Sequence, residues 1–145
     1  MIHNLFFRAK IPGKIPKEYQ KVISNIKKSS KNKYEFLRKS YNFLAKKYLG
    51  VRLNVKYAEL FGIDLKKVWK KKIVFCTTMN YLLRLFLIKS GMFTEKDIRT
   101  KWSFIWFLSP HHYLQVKVSR NKWINADLWG QDHGIKFGDY AREFH

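Results

Sequence analysis

The stretch from His111 to Trp129, HHYLQVKVSRNKWINADLW, decides how this chain is read. Apolar and polar residues alternate from His111 to Ser119 and again from Lys122 to Leu128, the period of two expected of strands. Arg120 and Asn121 between the runs predict a two-residue hairpin turn. Alternation puts His112, Leu114, Val116 and Val118 on one apolar side, facing a core. His111, Tyr113, Gln115, Lys117 and Ser119 take the other side, towards solvent or a second layer. A two-residue turn pairs Val118 with Trp123 and Leu114 with Asp127. His112 and Asp127 are then diagonal neighbours on one face, about 7–8 Å apart. A loop of three residues would change the parity and separate them.

Upstream the period changes to that of helices. Pro12, Gly13 and Pro16 punctuate the start, and from Ile15 the residues Tyr19, Val22, Ile23 and Ile26 recur at helical spacing. A second helix carries Tyr34, Leu37, Tyr41, Leu44 and Tyr48 on one stripe, with Gly50 as its stop. Residues 51–63 read as extended at VRLNV and then as loop. Asp64 is a good N-cap for a short helix over LKKVWKK. The third long helix, from about Cys76 to Ser90, is apolar around most of its circumference through Met79, Leu82, Leu83, Leu85, Phe86 and Leu87, and Gly91 follows as its C′ residue. KWSFIWFL (101–108) reads as a strand, and the glycine-containing tail after Trp129 as loop with a short terminal element. Helices followed by strands predict an α+β fold, with amino-terminal helices and a buried central helix packed on an antiparallel sheet. The expected organisation is a single domain over 1–145, with a basic helical extension at 1–33 and a core at 34–145.

A chain of 145 residues, 46% hydrophobic and 17% aromatic, can bury a core of its own. It contains no apolar run long enough to span a bilayer, which argues against integral membrane association. MIHNLFFRAK makes a poor signal peptide, so a cytoplasmic protein is expected. One cysteine, Cys76, excludes an intramolecular disulfide and a cysteine-rich zinc site. Net charge is +20, of which residues 1–73 carry +16. Such a field draws nucleic acid, anionic lipid or acidic partners, although a lysine-rich solubilising surface is the plainer reading. No zinc-finger, RNA-recognition or phosphate-loop motif accompanies the charge.

Cys76 opens the most buried helix, where free amides and the helix dipole favour a thiolate, and Lys70, Lys71 and Lys72 lie just upstream. An ordinary thiol is only about 3% thiolate at pH 7, so a nucleophile needs such help. A lone cysteine on an apolar helix is more often core than catalyst; the hairpin changes the balance. His112 on the inward face can act as base, and Asp127 can hold its tautomer. His111 is read as a bystander. The two histidines point to opposite faces, which argues against a shared metal. His133 reads as a loop residue, and His3 and His145 as solvated termini.

A cysteine at the start of the central helix, a histidine opening a strand and an aspartate ending the next resemble the transglutaminase-like superfamily. HYLQVKVSRNKWINADLW keeps a histidine at 112, Lys122-Trp123, and an aspartate at 127, 15 residues after that histidine, over a resemblance covering about residues 34–140. The resemblance implies a papain-like core, with Cys76 as nucleophile, His112 as general base and Asp127 as orienter. It implies acyl transfer from a protein or peptide amide through a thioester, with hydrolysis favoured over crosslinking and with no cofactor or metal. The oxyanion would be met by the Cys76 amide and a side chain among Trp69, Tyr48, Asn54 and Tyr57. The chain departs from the pattern at Val74, where glycine is common, and at Leu114, where tryptophan is common. The competing expectation is a non-enzymatic module on the same fold, binding nucleic acid or an acidic partner through its basic amino-terminal half. Oligomeric state is not legible.

Overall fold

The computed structural model describes residues 9–50, 63–105 and 109–142. The stretch VRLNV and the candidates Asn54 and Tyr57 lie outside these residues, as do His3 and His145.

Among the described residues four α-helices precede the main sheet. Helix α1 (Lys17–Lys28) buries Tyr19 and Ile23. Helix α2 (Lys33–Lys47) starts where the Asn32 side chain accepts the Glu35 N–H, and it buries Phe36, Leu37, Ser40, Tyr41 and Leu44. Helix α3 (Leu65–Lys70) is short; Asp64 caps it by accepting the N–H groups of Lys66 and Lys67. Two phenols fasten it to the longer helices. Tyr19 Oη donates to the Leu65 carbonyl at 2.7 Å and Tyr48 Oη to the Val68 carbonyl at 3.1 Å.

Helix α4 (Cys76–Lys89) is the hub. Every residue from Thr77 to Leu87 is buried, as an all-round apolar surface requires. The helix ends as expected, with Gly91 in the left-handed region at φ 74°. Helices α1 and α2 pack against it, as does strand β4 (Ser109–Ser119). That strand sits between β3 (Ile98–Ile105) and β5 (Lys122–Ala126) in an antiparallel meander. The fold is therefore α+β with helices packed on a small antiparallel sheet. Among the described residues no helix is long and apolar enough to cross a membrane.

A second, two-stranded sheet was not anticipated. Strand β1 (Leu49–Gly50) pairs in parallel with β2 (Ile73–Val74), which leads directly into Cys76. Gly50 is thus not the stop of α2, which ends at Lys47. Its role is close approach: a Cβ at this position would lie 2.6 Å from Trp129 Cδ1. Its N–H also donates to the Asp132 carboxylate. Gly50→Ala should therefore lower unfolding free energy by about 1–3 kcal/mol through overpacking. Gly13→Ala, where nothing lies within 4 Å, should stay within about 0.5 kcal/mol of the parent in the same denaturant titration.

Candidate functional site

The hairpin has the expected two-residue turn, with Ser119 opposite Lys122. One step in from the turn the ladder slips. Lys117, not Val118, lies opposite Trp123, and Leu114 opposite Ala126, with Val118 falling between paired residues. One extra residue on one strand is a β-bulge, and it reverses which residues of β4 and β5 share a face. Asp127 consequently projects on the His111 side of the sheet.

This overturns the expected pairing of His112 with Asp127. His111 Nε2 lies 2.8 Å from Asp127 Oδ2, and both residues are buried, at 2% and 1% exposure. His111 is not turned to solvent. The segment after β5 folds back over the far end of that face, where Ser103 Oγ donates to the Ala141 carbonyl at 2.7 Å and Tyr140 stacks on Tyr113.

Asp127 is held from several directions. Its Oδ2 also accepts the Ala141 N–H at 2.7 Å, and its Oδ1 accepts the Gly130 N–H at 2.9 Å. Gly130 has no room for a side chain, since a Cβ would lie 2.8 Å from Asp127 Oδ2. The buried Tyr41 phenol donates to the Asp127 carbonyl at 3.0 Å, tying the site to α2. Trp129 lies between two imidazoles, its ring 4.7 Å from that of His111 and 4.1 Å from that of His133. His133 therefore belongs to the packing around the pair, in the short 3-10 turn Gly130–His133. A carboxylate can only accept, so it fixes the proton of a neutral His111 on Nε2 and leaves Nδ1 as the basic nitrogen.

His112 does face α4, as alternation required, but it is engaged there by Asn80. The Asn80 amide nitrogen donates to His112 Nδ1 at 2.9 Å and to the His112 carbonyl at 2.8 Å. Asn80 stands four residues after Cys76, one turn along the same helical face. Burial, and secondarily the neighbouring His111, push the His112 imidazole down to about 4, with Asp127 opposing. His112 is thus a neutral ring with its proton on Nε2.

Cys76 is the first residue of α4, and as a residue it is partly exposed. Burial pushes its thiol up to about 12, and the Asp127 carboxylate adds to the push. The nearby backbone amides of Thr77, Cys76 and His112 pull the other way without prevailing. The helix terminus and Lys70–Lys72 therefore do not make a resting thiolate, contrary to the sequence expectation. A base is required. Of the expected oxyanion donors, Tyr48 is already committed to Val68, and Trp69 packs against Tyr19 and Phe43. Among the described residues no group of three His, Cys, Asp or Glu side chains is disposed to hold a metal ion.

Sequence reasoning missed Asn80, Tyr41 and Gly130. Asn80 alone carried a signal, a lone amide amid the apolar residues of α4.

No protein-family model matches the chain, and no curated protein matches it. A solved structure described as "Crystal structure of a TGase" aligns with 92% of this chain at a TM-score of 0.55 and 15% sequence identity. The chain spans 37% of that protein's length. At this identity the likeness is one of fold.

The depressed His112 has a consequence for stability. Unfolding returns its imidazole to the ordinary value near 6.5, so between about pH 6.5 and 4 the unfolded chain binds a proton that the folded chain does not. This contribution is present above pH 6.5 and is lost as pH falls, by about 1.4 kcal/mol per unit within that window. Denaturant titrations at pH 7, 6, 5 and 4 should show the decline, and His112→Gln should flatten it.

Proposed function

We propose that the chain is a cysteine-dependent acyl-transfer enzyme of transglutaminase-like, papain-like architecture that hydrolyses an amide or peptide bond through a thioester. The observation that carries the reading is the buried His111–Asp127 bond of 2.8 Å in the electrostatic neighbourhood of a thiol at a helix N-terminus. The fold likeness to a TGase supports it. The base is His111, not His112, whose Nδ1 is occupied by Asn80 and whose imidazole is held neutral.

In this reading the resting site holds a neutral thiol. As an amide carbonyl arrives, His111 Nδ1 takes the Cys76 proton and the sulfur attacks the carbonyl carbon. Asp127 stabilises the imidazolium through Nε2 without taking the proton. The Cys76 amide is one donor to the oxyanion. The imidazolium returns its proton to the departing nitrogen, leaving the thioester and releasing an amine. His111 then deprotonates a water that attacks the thioester; an acid leaves, and the proton goes back to sulfur.

A second reading has one specific observation behind it. A cavity of about 280 Å³ beside the β4–β5 turn is lined by Lys33, Lys117 and Arg120 with Val118, Ser119 and Asp97. It would seat a phosphate of a nucleic acid or a carboxylate of an acidic partner. Its cations come from both halves of the chain, not from the amino-terminal half alone. Binding of a single-stranded oligonucleotide that weakens steeply from 50 to 200 mM salt, and weakens further in Lys117→Ala, is the expected outcome for this reading.

The enzymatic reading is tested by iodoacetamide labelling of Cys76, followed by intact mass. At pH 7 His111→Ala should slow labelling by about a hundredfold or more, the lower end of what a positioned base supplies. His112→Ala should slow it by less than about threefold, as befits a residue outside proton transfer. The thiol titrates far above neutrality, with about one part in 10⁵ ionised at pH 7, so without its base it reacts only through that fraction. Labelling of His111→Ala should therefore climb about tenfold per pH unit past pH 9, while the parent levels off earlier.

A further inference from the structure

Two features beside Cys76 are left unused by that reaction. Trp102 and Phe104 on β3 are 49% and 61% exposed, large apolar rings in a chain that buries most of its others. They lie directly opposite His112 and Pro110 and so share the α4-facing side of the sheet. Farther along the same face Ile98 and Val116 are fully covered, so the face is bare only at the end next to the thiol. The second feature is His112 Nε2, which is buried with no hydrogen-bond partner among the described residues. The Asn80 contact puts the ring's proton on that nitrogen, which makes it an unsatisfied donor. The uncovered apolar face marks a surface that receives a bound group, and the unsatisfied donor is buried beside it.

Contacts connect this surface to the helix that carries the sulfur. The His112 ring accepts from Asn80, one turn after Cys76 on the same helical face, and lies 5.1 Å from the Trp102 ring. An acyl group carried on that sulfur would border this face.

We propose that Trp102 and Phe104, with the His112 ring, receive an uncharged aromatic group on the acyl side of the substrate amide. This substrate class rests on the acyl-transfer reading above. Aromatic faces also attract cations, but a net charge of +20 repels a cationic occupant. An aromatic group instead covers the indole and the phenyl ring by stacking or edge contacts.

The test compares Cys76 labelling by iodoacetamide, N-(2-phenylethyl)iodoacetamide and N-(2-aminoethyl)iodoacetamide on the full chain at pH 7, each rate divided by that of glutathione. The phenylethyl reagent should gain about two- to tenfold over iodoacetamide, the range that aromatic contacts supply. The aminoethyl reagent should gain nothing. Trp102→Ala and Phe104→Ala should each bring the phenylethyl gain towards one, and Tyr34→Ala, at an exposed ring on α2, should leave it intact. A parent with no phenylethyl gain, a gain that survives both β3 substitutions, or a preference for the aminoethyl reagent would overturn the proposal. Failure of the catalytic reading appears elsewhere, as labelling by plain iodoacetamide that is indifferent to His111.

Discussion

A sheet carries its side chains to two faces in strict alternation, so a single extra residue in one strand exchanges the faces for everything beyond it. Val118 is that residue, one step in from the β4–β5 turn. Its insertion brings Asp127 to the side of His111, and the rest of the site follows from that meeting. A buried imidazole and carboxylate at 2.8 Å need further partners to offset their desolvation, and the amides of Gly130 and Ala141 provide them. Those amides come from the segment after β5, which explains why the tail is drawn across the sheet. Tyr41 and Trp129 then lock the arrangement to α2 and to β1.

Electrostatics at the site is governed by burial more than by the helix terminus. A helix N-terminus contributes about 0.3–1 kcal/mol to an anion at its first turn. Removal of a thiolate from water costs more, and the Asp127 charge adds to the deficit, so Cys76 rests as a thiol. The same burial keeps His112 neutral. Of two adjacent histidines, one is held by a carboxylate and the other by an amide. Under the proposed reaction only the first can stabilise its own protonated form during proton transfer. Asn80 holds His112 differently, donating both to its ring and to its carbonyl.

Much of the fold was legible because its signals are periodic. The Tyr19–Ile26 spacing, the apolar circumference of α4, the Asp64 cap and the Arg120–Asn121 turn all correspond to elements of the structure. Cys76 at the start of α4 and Asp127 at the end of β5 were legible in the same way. The bulge was not. Val118 continues the apolar alternation of β4 in an unbroken pattern, and nothing in its identity announces that it lacks a partner. The face of His111 misled for a related reason. Gln115, Lys117 and Ser119 make it polar near the turn, while Tyr113 and His111 at the far end are covered by a tail that reads as loop. Each face of this sheet is buried over one half only, so an average over the strand hides the change. The parallel pair β1–β2 is two residues long on each side, too short for any period.

The central claim is that His111 and Asp127 act on Cys76 as one unit, and a double-mutant cycle on the labelling rate measures this directly. Labelling by iodoacetamide at pH 7 is compared for His111→Ala, Asp127→Asn and the double substitution, with the parallel cycle on His112. The account predicts that Asp127→Asn slows the parent and His112→Ala alike but adds little once His111 is gone. An Asp127→Asn effect of full size in the His111→Ala background, or one that vanishes with His112 instead, would contradict it.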